Sequence, residues 1–228
     1  MYYYQPIVRN TVHTGRHSSS KPNTIRVSGE GKIAVQPDQA SIKLGVLTED
    51  QELQKAQEQN AAAISNVKKA LNAIGITDKQ IQTSDFSIFP QYDFVDGKQI
   101  FRGYKVEHIL NITADEIENT GLAVDTAVES GANTVRGITF EIENQQEWYQ
   151  QALSMAVMDA YRKAETIAAS LRVQLISTPV SVSEGNSGMV QPVSFQSSAL
   201  VKNAVSTPIQ PGTIEIESRI TADFIFYS

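Results

Sequence analysis

The chain has 228 residues, 41% of them apolar and 19% charged, which is enough to bury a core in one large domain or two small ones. It contains no cysteine, which excludes disulfides, thiolate metal ligands and thiol nucleophiles, and its net charge of −6 argues against nucleic acid as the main partner. A run of about 18 apolar residues is absent, so no membrane-spanning helix is expected, and the first 25 residues lack the apolar segment of a secretory signal, so a cytoplasmic location is expected.

Residues 1–24 carry Arg9, Arg16 and Lys21 with no acid, together with Tyr2 to Tyr4, His13 and His17, and are expected to form a flexible basic tail. From Ile25 the pattern alternates through Val27, Gly29, Gly31, Ile33 and Val35, which reads as a strand with one wet face. The GEGK within it lacks the spacing and the strand-to-helix context of a phosphate loop. Pro37-Asp38 supplies a turn, Ala40, Ile42, Leu44 and Val46 continue the alternation, and the two strands are expected to pair as a hairpin. Thr48 and Gln51 then open a helix whose apolar positions Leu53, Ala56, Ala63, Ile64, Val67, Leu71 and Ile74 run to Gly75.

A third strand carries Phe86 and Ile88; a fourth, after Asp96-Gly97, carries Tyr104, Val106, His108, Leu110 and Ile112, with a long hairpin connection between them. His108 is in phase with the apolar face and is the one histidine outside the tail, so a hydrogen-bonded structural histidine is favoured over a ligand or base. A short helix over 116–130 stops at Gly131, and Ile138, Phe140 and Ile142 mark a fifth strand. The longest helical pattern is Asn144 to Arg172, which a capping box of Asn144 and Glu147 would open. Its stripe is read as Tyr149, Leu153, Ala156 or Val157, Ala160, Ala164, Ile167 and Leu171, with a ridge of alanines (Ala152, Ala156, Ala160, Ala164, Ala168) smooth enough to lie close on a sheet. Asp159 and Lys163 are spaced for an i,i+4 ion pair.

Pro179 to Glu184 reads as a sixth strand, and Thr213 to Tyr227 as the last. Between them, 184–212 has Glu184 and Lys202 as its only charges and holds no period, a long insert of the kind that is functional or disordered. The order β-β-α-β-β-α-β-α-β-β predicts an α+β fold, a mostly antiparallel sheet or sheets with helices packed on one side. Residues 25–228 are expected to be one domain.

Several pieces in this order carry a resemblance: I-x-V-x-G-x-G at Ile25 to Gly31, P-D-x-A at Pro37 to Ala40, the run from Asn60 to Ile76, Gly103-Tyr104, S-G-A-N at Ser130 to Asn133, A-x-x-x-A-x-x-K-A-E at Ala156 to Glu165, and Pro211-Gly212. The set over about 25–228 is similar to the SIMPL-domain family, which includes oxidative-stress defence proteins, periplasmic immunogenic proteins and an adaptor of a signalling kinase. The resemblance implies helices over antiparallel strands, large ring- or channel-like oligomers in some members, and no established catalytic residues. Two features depart from it: the polar, basic N-terminus, and a helix exit at Ser170-Leu171-Arg172-Val173 without glycine.

An enzyme needs a convergent site, and the inventory is thin, because Glu215, Glu217 and Asp223 alternate onto a wet strand face. GNSG at 185–188 lacks the spacing of a nucleophile elbow, and Asp93 with Asp96 lacks that of a calcium loop. The first expectation is thus a non-catalytic, self-associating, stress-related protein, with neither cofactor nor metal, that forms a homo-oligomer or docks a protein partner. The second is a small-molecule or peptide-binding module with a site under 184–212 near Tyr104 and His108, where Val190, Phe195 and Leu200 would add contact or interface surface. The third is a hydrolase.

Overall fold

The alternation of Ile25, Val27, Gly29 and Gly31 builds β1 (Thr24–Val35), but its partner lies at the far end of the chain. In this computed structural model, which describes residues 23–185, 191–193, 209 and 211–227, β1 pairs antiparallel with β9 (Thr213–Tyr227), in register from Thr24↔Ile225 to Val35↔Ile214. The hairpin expected between the first two strands does not form. Pro37-Asp38 is a crossing instead: the Asp38 N–H donates to the Glu141 carbonyl at 3.1 Å, and Asp38 Oδ1 accepts from the Glu143 N–H at 2.8 Å. The crossing carries the chain into a second sheet.

That second sheet is antiparallel throughout, in the order β3 (Ile81–Val95), β4 (Lys98–Ala114), β2 (Gln39–Asp50), β5 (Thr134–Glu141). Helices α1 (Leu53–Ala73) and α2 (Thr120–Glu129) cover one face and close a core that includes Ile42, Leu44, Val67, Leu71, Ile112 and Ala127. The first sheet is built on the long pair β1 and β9. On β9's other edge the chain runs back in three short steps: β6 (Gln174–Leu175) at Phe226–Tyr227, β7 (Ser181–Glu184) at Ile220–Asp223, and β8 (Gln191–Val193) at Thr213–Glu215. Helix α3 (Gln145–Leu171) covers β1 and β9, so the predicted α+β architecture stands, as two sheets, each with its own helical cover. The basic tail expected over 1–24 and most of the insert 184–212 lie outside the described residues.

Helix α3 buries its alanines rather than its large apolar residues. Ala152, Ala156, Ala160, Ala164 and Ala168 are buried, whereas Val157, Ile167 and Leu171, assigned to the stripe from their spacing, are exposed. The strand beneath explains the phase. A Cβ added to Gly29 would stand 2.0 Å from the Ala156 carbonyl oxygen, and one on Gly31 would stand 2.0 Å from that of Ala152. Helix backbone thus rests directly on strand backbone, which only small residues on both sides allow. Asp159 and Lys163 form the expected ion pair (2.6 Å) and also reach the strand: the Glu30 N–H donates to Asp159 (2.9 Å), and Lys163 donates to the Ser28 carbonyl (3.0 Å).

The ends of the helices differ in part from expectation. Thr48 stays in β2, where its hydroxyl donates to the Ala56 carbonyl (2.8 Å), and the N-cap of α1 is Glu52. At α3 the Asn144 amide donates to the Glu147 carboxylate (3.0 Å), so no capping box forms. Gly75 and Gly131, at φ 96° and 115°, close α1 and α2 with the paired bonds of a Schellman turn, the N–H of Ile76 donating to Leu71 and that of Ala132 to Ala127. At the end of α3, Arg172 takes the same left-handed position at φ 55° without glycine, and the Val173 N–H donates to Ala168.

Candidate functional site

Two features of the second sheet are left over once packing is accounted for. The first is the β3–β4 hairpin. The strands hold register from Ile81↔Ile112 to Val95↔Lys98 and turn at Asp96-Gly97, whose φ values of 50° and 76° are those of a two-residue type I′ turn, so the long connection expected there is strand instead. Strand β2 ends at Asp50, opposite Tyr104, and the hairpin continues beyond it as a two-stranded arm. Gly103 stands at the root, where a Cβ would meet the Asp50 carbonyl oxygen at 2.6 Å. Beyond Gly103 the arm extends about 20 Å, at about 3.4 Å per residue. It is apolar and uncovered: Phe94 is 74% exposed, and Tyr92, Val95, Ile100 and Phe101 are each about half exposed. Phe101 bridges Tyr92 and Tyr104 edge to face, at 5.7 and 5.1 Å. Arg102, ion-paired with Glu49, ties the root back to β2.

The second feature is a groove of about 600 Å³ between α1 and the β3–β4 pair. Phe86 and His108 face it from the strands, edge to face at 5.3 Å, and His108 Nε2 lies 2.9 Å from Thr83 Oγ1. Burial first, and then the charge of Lys68, holds the His108 imidazole below its ordinary pKa, which favours the neutral ring. From α1 come Lys68, Lys69 and Asn60. Asn60 is 1% exposed and donates its amide N–H groups to the carbonyls of Val46 (2.9 Å) and Val106 (3.3 Å), which fixes its orientation and leaves Oδ1 without a partner among the described residues.

The residues singled out in the sequence do not converge. Tyr104 packs on Phe101 at the root of the arm, while His108, on the same strand, lines the groove; no described residue of 184–212 does so. Val190, Phe195 and Leu200 lie outside the described residues. The carboxylates of β9 occupy cross-strand ion pairs on the exposed face, Asp223 with Arg26 at 2.6 Å and Glu215 with Lys32 at 3.6 Å. The hydrogen bond from Arg26 keeps Asp223 below the usual carboxylate range. Among the described residues no three His, Asp or Glu side chains gather in a way that would hold a metal ion. No described helix is long and apolar enough to cross a membrane.

The pieces of sequence that carry the family resemblance have structural roles. Gly29 and Gly31 admit α3, Lys163 reaches β1, Asn60 joins α1 to β2 and β4, and Gly75 and Gly131 end helices. Asn133 completes the edge of β2 beyond β5, accepting from the Leu47 N–H and donating to its carbonyl, both at 2.8 Å, as a further strand residue would.

Comparison with known proteins supports the family resemblance. The 26 kDa periplasmic immunogenic protein of Brucella melitensis is 30% identical over 162 residues, which cover 69% of this chain and 65% of that protein. The uncharacterized protein YggE of Escherichia coli K12 is 23% identical over 144 residues, covering 63% of this chain and 58% of that one. The matched region spans less than two thirds of the length of these relatives. The family model described as SIMPL, protein of unknown function (DUF541), matches residues 25–224, and the chain belongs to that family.

Proposed function

We propose that this protein is a non-catalytic assembly module that self-associates through the β3–β4 arm. The observation that carries the reading is the apolar surface of the arm. Five side chains about half exposed or more, Tyr92, Phe94, Val95, Ile100 and Phe101, at about 200 Å² for an aromatic, amount to roughly 500 Å² over the two faces of the arm, within the about 300–600 Å² of the largest patch on a typical monomer. An isolated two-stranded hairpin is only marginally stable in water, so a covering partner would also hold the arm in shape. The partner proposed is a second copy of the chain.

Sedimentation velocity across a wide concentration range tests this, with circular dichroism to confirm folding. The parent chain is expected to sediment above its 25.0 kDa monomer mass, and Phe94→Asp with Phe101→Asp is expected to shift it to monomer with secondary structure intact. A parent that stays monomeric throughout refutes the proposal, as does an arm variant that assembles like the parent. The cytoplasmic location and the stress-related role are likewise proposals. The name of the Brucella relatives says periplasmic of those proteins. Recovery of this protein in an envelope fraction would refute the first, and unchanged survival of a deletion strain under peroxide the second.

A further inference from the structure

We propose that the groove between α1 and the β3–β4 pair binds a small planar organic anion, an aromatic or other flat apolar ring bearing one carboxylate or sulfonate. Its volume of about 600 Å³ falls in the roughly 300–1,000 Å³ range of small-ligand sites. The two walls differ chemically. On the strand side, Phe86 presents a ring that is 51% exposed, set edge to face against His108 at 5.3 Å, and Ile64 of α1 adds apolar lining. A flat apolar body gains area there, and aromatic pairs prefer the offset or edge-on contact that such a wall offers.

On the helix side stand Lys68 and Lys69. Lys68 lies 3.6 Å from Asp78, the acid in the lining, whereas Lys69 has no acidic partner among the described residues, so the rim carries a net positive charge. In a chain of net charge −6, that sign selects an anion. Asn60 also lines the groove, but its amide N–H groups are taken by the Val46 and Val106 carbonyls, so the lysines are what meet the anion.

The groove is separate from the tip of the arm, so its occupancy does not depend on self-association. The probe is 2-naphthoate, titrated against the full chain and followed by its own fluorescence and by calorimetry, with naphthalene-2-carboxamide as the neutral isostere. Saturable binding of one naphthoate per chain is expected, with displacement of the Asn60 side-chain amide resonance in a nitrogen–proton spectrum. Lys68→Met with Lys69→Met is expected to weaken binding about tenfold or more, as is the change to the carboxamide, because each removes a charge-assisted contact. Phe86→Ala should weaken it for the apolar body. These are exposed or half-exposed positions whose variants are expected to fold, which thermal unfolding verifies. Absence of saturable binding overturns the proposal. So does equal affinity for the carboxamide, unchanged affinity of the lysine variant, or loss of binding in the folded, monomeric arm variant, which would place the ligand between copies.

Discussion

Replacement of Gly29 by alanine puts one methyl group where the structure has helix backbone. The new Cβ would stand 2.0 Å from the Ala156 carbonyl oxygen, 2.8 Å from the Ala160 nitrogen and 2.9 Å from the Ala160 Cβ. A rotamer change relieves none of these contacts, so α3 must lift from β1 by about 1 Å or more, and a gap of that size forfeits about a quarter to a half of the dispersion energy of the contacts it opens. Overpacking of a tight core costs about 1–3 kcal/mol, and a rigid backbone obstacle puts this case at the upper end. Against this, alanine loses about 0.4–1 kcal/mol less chain entropy than glycine on folding. The net expectation is a loss of about 2 kcal/mol, or about 4–8 °C in Tm for a chain of this size, and Gly31→Ala should match it. Urea denaturation measures the loss. A companion variant sharpens the test: Gly29→Ala with Ala160→Gly removes the methyl–methyl contact but leaves the Ala156 oxygen in place, and should recover little. Stability of Gly29→Ala within 0.5 kcal/mol of the parent, or full rescue by Ala160→Gly, would refute direct backbone-on-backbone packing.

The same ridge predicts that Ala160→Leu, at a fully buried position, destabilises by about 1–3 kcal/mol, while exposed Ala169→Leu is nearly neutral; chemical denaturation giving equal values or the reverse order would refute the phase assigned to α3. His108 titrates below its ordinary value because burial penalises the imidazolium, so as pH falls through about 6.5 the unfolded chain takes up a proton that the folded one resists, and stability declines. Thermal melts of His108→Gln should therefore show a smaller decline between about pH 7 and 5 than the parent, and parallel curves would refute the assignment. Pro90, in β3 opposite Tyr104 at the sheet's edge, has no N–H to offer another strand. Pro90→Val should raise concentration-dependent, thioflavin-binding aggregation, and no change would show that the edge is guarded by something else.

Much of the fold was legible because period reports element type directly. The alternation in Thr213–Tyr227 and the unbroken helical run before Arg172 needed no tertiary information. What was not legible was strand pairing and the full membership of a helix's buried face. The alternation of 25–35 is the same whether its partner is β2 or β9, and proline with aspartate at 37–38 serves a turn or a crossing equally well. In α3 the alanine ridge is the buried face as read, but Ile167 and Leu171 were joined to it because spacing ranks positions by hydrophobicity, whereas the strand selects by size. The sequence singled out Gly29, Gly31 and the alanine ridge separately; that they meet is a tertiary fact. Of the groove, only His108 was found. The usable signal was Asn60, an amide in phase with Ala56, Val67 and Leu71 on the buried stripe of α1, and an amide held in a core position marks either a structural clamp or a ligand contact.

Where the chain can meet another molecule follows from how its edges are closed. On β1, the Ser28 carbonyl and the Glu30 N–H are taken by Lys163 and Asp159, a pair further bound to each other, so strand addition there would have to break an ion pair and two hydrogen bonds. On β9, three short strands occupy the second edge. In the other sheet, Asn133 completes β2 beyond the short β5, and β3 carries Pro90 and two irregularities of register, between Thr83 and Asp85 and between Gln91 and Tyr92, which twist an edge away from flat pairing. Backbone-mediated association is therefore opposed along β1, β9 and β3. The apolar side chains of the arm have no such guard, and the residues that mark the family are spent on holding helices to sheets rather than on covering it. A contact built from Tyr92, Phe94 and Phe101 would thus be made by side chains rather than by strand pairing.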